Sequence, residues 1–313
     1  MMCACPACDA ALAQKASNAY VVCPACGTWV LQADAPAGED NAAYFNAHFR
    51  EKASAQPDER KRRIFQAAEQ RDHARRAAEQ DRFLTHVQNL QAQLLQPGQR
   101  VLEIGFGDGD VLARLLQSGV DAWGEDLALT AVRNFQEQHP GYARRAGLPG
   151  ATAGAFHLIY AAALFEHLDD PRVFLHDIQK RLQPGGRLVL DQIPLASAGP
   201  ADLSPADDIC FWKPCHRVLH SLAGLQQLAG ATGFRVLAVA AMDSFNYRVL
   251  SLHRRAGYPA IETLRNACLV DARLPGLLRY RWLCWRAQHI RSRCQVASVV
   301  LQPLAADTQG APT

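Results

Sequence analysis

Val101-Leu102-Glu103-Ile104-Gly105-Phe106-Gly107-Asp108-Gly109 is the stretch on which the fold turns. An apolar run broken by one acid ends in three alternating glycines, and Val111, Leu112, Leu115 and Leu116 then keep a helical period. A strand that passes through glycines into a helix is the ligand-binding corner of an open parallel α/β sheet. The glycines supply positive φ in the turn and remove side chains where a ligand meets the backbone. Their spacing narrows the ligand. A dinucleotide fingerprint requires a small residue at position 110, but Asp110 stands there and the third glycine comes one residue early, at Gly109. A carboxylate in that place opposes a pyrophosphate, whereas Glu103 suits a ligand that carries an ammonium group.

Moving outward, the alternation of a parallel sheet continues. A helix over 109–118 ends at Gly119, and a strand over 120–125 ends on Glu125-Asp126. Asp126 lies about twenty residues past the first glycine, where an acid closing the second strand reaches a ribose diol. The same residue is placed to cap a helix over 128–138. Residues 141–155 show no clear period. A strand over 156–162 leads to Leu164-Phe165-Glu166-His167-Leu168-Asp169-Asp170-Pro171, a helix runs from Arg172 to Leu182, and Gln183-Pro184-Gly185-Gly186 turns into a strand from Arg187 to Asp191. Residues 194–215 read as a proline-rich loop. Ser221 is placed to cap a helix over 222–231, a strand follows over 234–241, and Gln295 to Leu301 is the candidate final strand.

Taken together, these residues resemble the class I S-adenosylmethionine-dependent methyltransferases. The resemblance rests on E-x-G-x-G-x-G at 103–109, Gly124-Glu125-Asp126, Glu166-His167-Leu168, the Leu-x-Pro-Gly-Gly turn at 182–186, and His216…Ser221…Gly233-Phe234. It covers roughly residues 83–241. It implies an α/β fold with a Rossmann-like seven-stranded sheet, helices on both faces and the last two strands antiparallel. It also implies S-adenosyl-L-methionine as cofactor, held by Glu103, Gly105, Phe106, Gly107, Gly109, Glu125, Asp126, Leu127 and Ala161. The family's acid that reads adenine after the third strand has no counterpart in 143–148, so backbone recognition is expected there.

The implied reaction is methyl transfer to a small-molecule acceptor: a sugar, a lipid-linked compound or another secondary metabolite. The alternative is an RNA base. An O or N acceptor must lose a proton, and a base with a pKa near the working pH serves best. His167, His216 and Asp191 are the candidates by position. His167 is equally suited to orienting the cofactor loop, and His157 alternates into a strand as a structural residue.

The N-terminal 35 residues carry a second signal, Cys5-Pro6-Ala7-Cys8 and Cys23-Pro24-Ala25-Cys26-Gly27. Two Cys-x-x-Cys knuckles a short loop apart place four thiolates as Zn²⁺ requires in a closed structural site. Tyr20-Val21-Val22 and Thr28-Trp29-Val30-Leu31 read as a hairpin, so the unit resembles a zinc ribbon. Disulfides are the competing reading. Cys210 and Cys215 have no paired ligands near them and read as spare thiols.

The expected division is a ribbon over 1–35, a linker and charged helix over 36–82, a methyltransferase domain over 83–303 with an insertion at 243–294, and a disordered tail over 304–313. Tyr44, Phe45, His48 and Phe49 form an aromatic helix face or line a substrate entrance. Cations and aromatics interleave over 279–293. That pattern fits a helix packed over the site, a peripheral membrane contact or a nucleic-acid surface.

Charged residues make up 20% of the 313, and the net charge is only +3, which argues against a large phosphate footprint. No apolar run long enough to span a bilayer is visible. Ten cysteines without a secretory signal at the start point to a reducing, cytoplasmic setting.

Overall fold

The computed structural model describes residues 3–13, 20–32, 43, 45–46, 98–197, 199–212, 216–242, 245–256, 282–283 and 285–304. The linker and charged helix expected over 36–82, apart from 43, 45 and 46, together with Cys215, most of the insertion, and 305–313 of the tail lie outside them.

Four short strands open the chain: β1 (Cys3–Ala4), β2 (Ala11–Leu12), β3 (Tyr20–Val22) and β4 (Trp29–Leu31). The glycine stretch forms β5 (Arg100–Ile104) and enters α1 (Asp110–Gln117), followed by β6 (Asp121–Glu125) and α2 (Leu129–Gln138). A 3-10 turn over Pro140–Arg145 leads to β7 (Ala146–Gly147) and then β8 (Phe156–Ala162). A single 3-10 turn, Phe165–His167, precedes α3 (Pro171–Arg181) and β9 (Leu182–Ala196). The chain closes with α4 (Ile209–Trp212), β10 (Val218–Leu219), α5 (Leu222–Ala231), β11 (Phe234–Met242), α6 (Phe245–Arg255) and β12 (Cys294–Pro303).

Seven strands make one sheet in the order β11-β12-β9-β8-β5-β6-β7. β12 is antiparallel to both of its neighbours, and the other described pairs are parallel. This is the mixed seven-stranded arrangement expected from the sequence. Alternation along the strands sorts the core into two layers. Val101, Leu158, Tyr160, Val189 and Val300 pack with α1 and α2 through Leu112, Leu116 and Phe135. Leu102, Ile159, Leu188, Leu190, Val299 and Leu301 pack on the opposite face with Leu175 and Ile178 of α3 and Leu225 and Leu228 of α5.

That second layer does not stop at the sheet. Cys5, Ala7, Leu12, Val21, Cys23 and Cys26 belong to the same cluster, so the N-terminal unit shares the core of the α/β body. It also shares backbone. β4 pairs antiparallel with β3 on one side and with β10 on the other, Val30 facing Val218 and Trp29 facing Leu219. Arg172 of α3 adds a hydrogen bond from Nε to Pro6 O (2.9 Å) and an ion pair with Asp9 (2.8 Å).

Two segments differ from the sequence expectation. In the unpatterned stretch 141–155 lies β7, whose two residues pair with Gly124 and Glu125; a strand that short has no period to display. β9 also continues to Ala196 through Pro194, where a loop was expected. Its pairing with β8 stops at Ala162 opposite Asp191, so from there to the bridge between Ala196 and Ser221 the strand is bordered by β12 alone. A one-sided strand is where proline is tolerated.

Candidate functional site

The carboxyl ends of β5, β8 and β9 open on a pocket of about 280 Å³. Its lining includes Glu103, Gly105, Phe106, Gly109, Tyr160 and Gln192. The glycine turn does what its sequence predicts. Gly109 has φ +76°, and a Cβ there would sit 2.3 Å from the Phe135 ring, so only glycine lets α1 start against α2.

Glu103 stands on the pocket wall, 4% exposed. Burial, and after it the neighbouring Asp126, push its carboxyl up to about 8. Among the described residues its Oε2 is buried without a hydrogen-bond partner. A buried carboxylate oxygen facing a cavity is costly unless something cationic or hydrogen-bonding meets it. An ammonium group on a nucleoside without phosphates meets that need, so the residues fit the implied cofactor.

Asp126 ties the turn together. Its Oδ2 accepts from Gly107 N and its Oδ1 from Ala128 N, both at 2.8 Å. It does not serve as the side-chain cap of α2. That role falls to Asn46, whose Oδ1 accepts from Thr130 N (3.0 Å) and from the Thr130 hydroxyl (2.9 Å). Leu127, next along, is 52% exposed.

Five of the expected cofactor residues, Gly107, Glu125, Asp126, Leu127 and Ala161, are not on the pocket wall. Glu125 is buried against Arg181, which grips both of its oxygens at 2.8 and 2.9 Å, while Gly150 N and Thr152 N donate to the same carboxylate. Burial alone would raise its pKa, but the Arg181 fork and these N–H donors hold it below the usual carboxylate range. Ala161 is buried in the core facing α3, and its successors Ala162 and Ala163 line the pocket instead. An alternating strand makes that one-residue difference decisive.

The three proton-handling candidates separate into two groups. Asp191 accepts from the Tyr160 hydroxyl (3.0 Å) and from Ser298 Oγ, inside a closed network that braces Tyr160 on the pocket wall. His167 and His216 come together, with ring centroids 4.9 Å apart. Glu166, which carries no assigned role in the sequence reading, joins them. Its Oε1 is 3.8 Å from His167 Nε2 and 3.9 Å from His216 Nε2. Nothing in the local pattern announces Glu166, because its neighbour His216 is distant in sequence. Phe45 packs edge-on against His167 at 5.2 Å. His157 is structural, its Nδ1 accepting from Arg100 N at 3.0 Å.

The four N-terminal cysteines are free, and their sulfurs lie within 4.8 Å of one another. Cys5 and Cys26 are 3.7 Å apart and Cys8 and Cys23 3.4 Å, far beyond a disulfide bond. Four thiolates about 2.3 Å from one tetrahedral ion stand about 3.8 Å apart, so the donor set fits Zn²⁺.

The Methyltransferase domain family model matches residues 44–239. An O-methyltransferase of Pyrenophora dematioidea is 32% identical over 159 residues, covering 45% of this chain and 56% of that protein. O-methyltransferase resE of Aspergillus sclerotiorum is 27% identical over 152 residues with the same coverage. The chain thus spans just over half the length of these curated relatives. A SAM-dependent methyltransferase from Geobacter sulfurreducens in complex with S-adenosyl-L-homocysteine superposes with a TM-score of 0.43 at 15% identity, covering 70% of this chain and 90% of that one. Among the described residues no helix is long and apolar enough to cross a membrane.

Proposed function

The chain belongs to the methyltransferase-domain family, and on that premise we propose that it transfers a methyl group from S-adenosylmethionine to a hydroxyl oxygen of a small-molecule acceptor. The observation that carries the cofactor assignment is Glu103 Oε2, buried and unpartnered among the described residues on the wall of a pocket bordered by a glycine turn. The O-methyltransferase relatives support oxygen as the acceptor atom.

When bound, the cofactor supplies an electrophilic methyl on a sulfonium whose leaving group is a neutral thioether. The chain has to hold donor and acceptor in line and remove the acceptor proton. Glu103 neutralises the ammonium, and Asp126 keeps the turn in the shape that meets the cofactor. Leu127 offers an apolar face to the nucleoside. Glu166, His167 and His216 form the polar cluster beyond the end of β8, where the acceptor proton is handled. Cys5, Cys8, Cys23 and Cys26 hold a structural zinc, and the reduced thiols suit a cytoplasmic setting. The ribbon over 1–35 and the methyltransferase domain over 83–303 act as one body.

Calorimetry with S-adenosylhomocysteine tests this reading. The protein should bind it, and Asp126→Ala should weaken binding on the order of 100-fold, since the two hydrogen bonds to this carboxylate that shape the turn contribute at least about 1.5 kcal/mol each. A folded protein indifferent to both S-adenosylmethionine and S-adenosylhomocysteine would end the assignment.

A further inference from the structure

Glu166 and His167 are consecutive in the single turn Phe165–His167, and His216 arrives from the segment before β10. One carboxylate oxygen thus faces two imidazole nitrogens, at 3.8 and 3.9 Å, and the three atoms lie within 4.8 Å of one another. The spacing suits a shared ion better than a direct ion pair. A charge-assisted N–H···O bond closes to about 2.8 Å, whereas two donors about 2.1 Å from one cation stand roughly 3.0–3.4 Å apart. Each Glu166–histidine pair reaches that distance by closing about half an ångström, and the two ring nitrogens, within 4.8 Å of each other, close further by side-chain rotation.

The His216 ring is oriented for the task. Its Nδ1 lies 2.8 Å from Cys210 O, and a carbonyl only accepts, so Nδ1 carries the hydrogen. The other ring nitrogen, Nε2, is the one nearest Glu166 Oε1, at 3.9 Å. A backbone carbonyl on the far nitrogen is the partner that metal-binding histidines ordinarily have. Backbone contacts fix the neighbouring chain as well. Tyr20 Oη donates to His216 O, and Arg217 N donates to Glu166 O, both at 2.7 Å. Glu166 and His216 are 3% and 2% exposed, while the His167 side chain keeps 11%. The open side of the cluster is therefore at His167.

We propose that Glu166, His167 and His216 bind a divalent transition cation through two imidazoles and one carboxylate, with the remaining positions left for the acceptor oxygen and water. Imidazole donors favour first-row transition ions over Mg²⁺ or Ca²⁺. The role in catalysis rests on the methyltransferase reading, but metal binding itself does not. With the acceptor oxygen on the cation, its O–H is acidified and the proton passes to water. That oxygen then bonds to the methyl carbon as the carbon–sulfur bond breaks, and the electron pair returns to sulfur. On this account the two histidines are ligands and not proton acceptors.

Mn²⁺ tests the site separately from the ribbon, since Mn²⁺ stands below Zn²⁺ in affinity and does not displace it from four thiolates. Protein carrying one zinc is titrated with Mn²⁺ while the spin-resonance signal of free Mn²⁺ is followed. The expected result is one Mn²⁺ per wild-type chain, binding weakened at least about 30-fold in H216Q and E166Q, and unchanged binding in H176Q on the exposed side of α3. The thermal shift given by S-adenosylhomocysteine reports that each variant is folded. If E166Q does not fold, H167Q at the open side takes its place. Folded wild-type protein that binds no Mn²⁺, or H216Q that binds it equally well, overturns the proposal. Protein that binds Mn²⁺ but not S-adenosylhomocysteine keeps this site and loses the methyltransferase reading; the reverse result does the opposite.

Discussion

The cofactor pocket and the Glu166–His167–His216 cluster are neighbours built on opposite plans. The pocket is mostly one continuous piece of chain, from Glu103 to Val111, with Tyr160, Ala162, Ala163 and Gln192 closing it. Its supporting hydrogen bonds, Asp126 to Gly107 and to Ala128, stay within two consecutive strand–turn units, β5 and β6. The cluster gathers Phe45, Glu166, His167 and His216, and its backbone is held by Tyr20 of the N-terminal hairpin. The difference is between a site that a strand and a helix make by themselves and one that exists only when remote segments dock. Damage to the ribbon should therefore reach one half of the reaction and spare the other.

The largest effect expected of this contrast comes from Cys26→Ser. A structural zinc of the kind proposed contributes roughly 10–16 kcal/mol of apparent folding energy, so on that proposal the N-terminal unit should lose its metal and its order. Displacing a reacting group by about 1 Å costs on the order of 100-fold in rate. Methyl transfer should fall by at least that much, while the affinity for S-adenosylhomocysteine, read by calorimetry, stays as in wild type. A parallel loss of cofactor affinity would erase the distinction between the two regions.

Next in size is Arg181→Met, which leaves the buried Glu125 carboxylate without its bidentate partner. Removing one member of such a pair costs about 3–5 kcal/mol, a fall in Tm of roughly 6–15 °C for a domain of this size. Cofactor affinity should not change, because Glu125 braces the 150–152 loop and does not line the pocket. A large rise in Kd at unchanged Tm would return Glu125 to the cofactor.

The smallest effect is a pH dependence carried by Glu103. Its carboxyl sits near 8 in the free folded protein, against an ordinary value of 4.5. The neutral form is thus the one that burial favours, and the unliganded fold loses stability as pH rises through that window. Pairing with an ammonium requires the ionised form, so binding releases a proton below pH 8. Affinity should rise by up to about tenfold per unit between about pH 5.5 and 7.5. Calorimetry in buffers of different ionisation heat should show close to one proton released, and Glu103→Gln should abolish both the release and the slope.

The same contrast explains what the chain discloses when read as letters. Glycine spacing, strand periodicity and the cap at Ser221 are local, and the sheet, the glycine turn and α5 follow from them. The four cysteines are legible because metal chemistry demands a spacing. Glu125 stands beside Asp126 in the sequence, but its pairing with Arg181, fifty-six residues away, has no local signal. Asn46 as the cap of α2 and Glu166 as the partner of His216 depend on docking across long stretches of chain. Ala161 misses by one residue, a matter of which face of β8 it occupies.

The shared ladder between β4 and β10 has a consequence for the order of events during synthesis. Trp29 leaves the ribosome 190 residues before its partner Leu219. The thiol knuckles are thus complete, and able to capture an ion, while the edge of β4 still waits for its third strand. Contacts of such long range form slowly, so capture precedes docking. On the proposed zinc assignment, a nascent chain starved of the metal would present an unpaired edge to the crowded cell for that whole interval, and it is in this window, rather than in the finished protein, that metal scarcity would do its first harm.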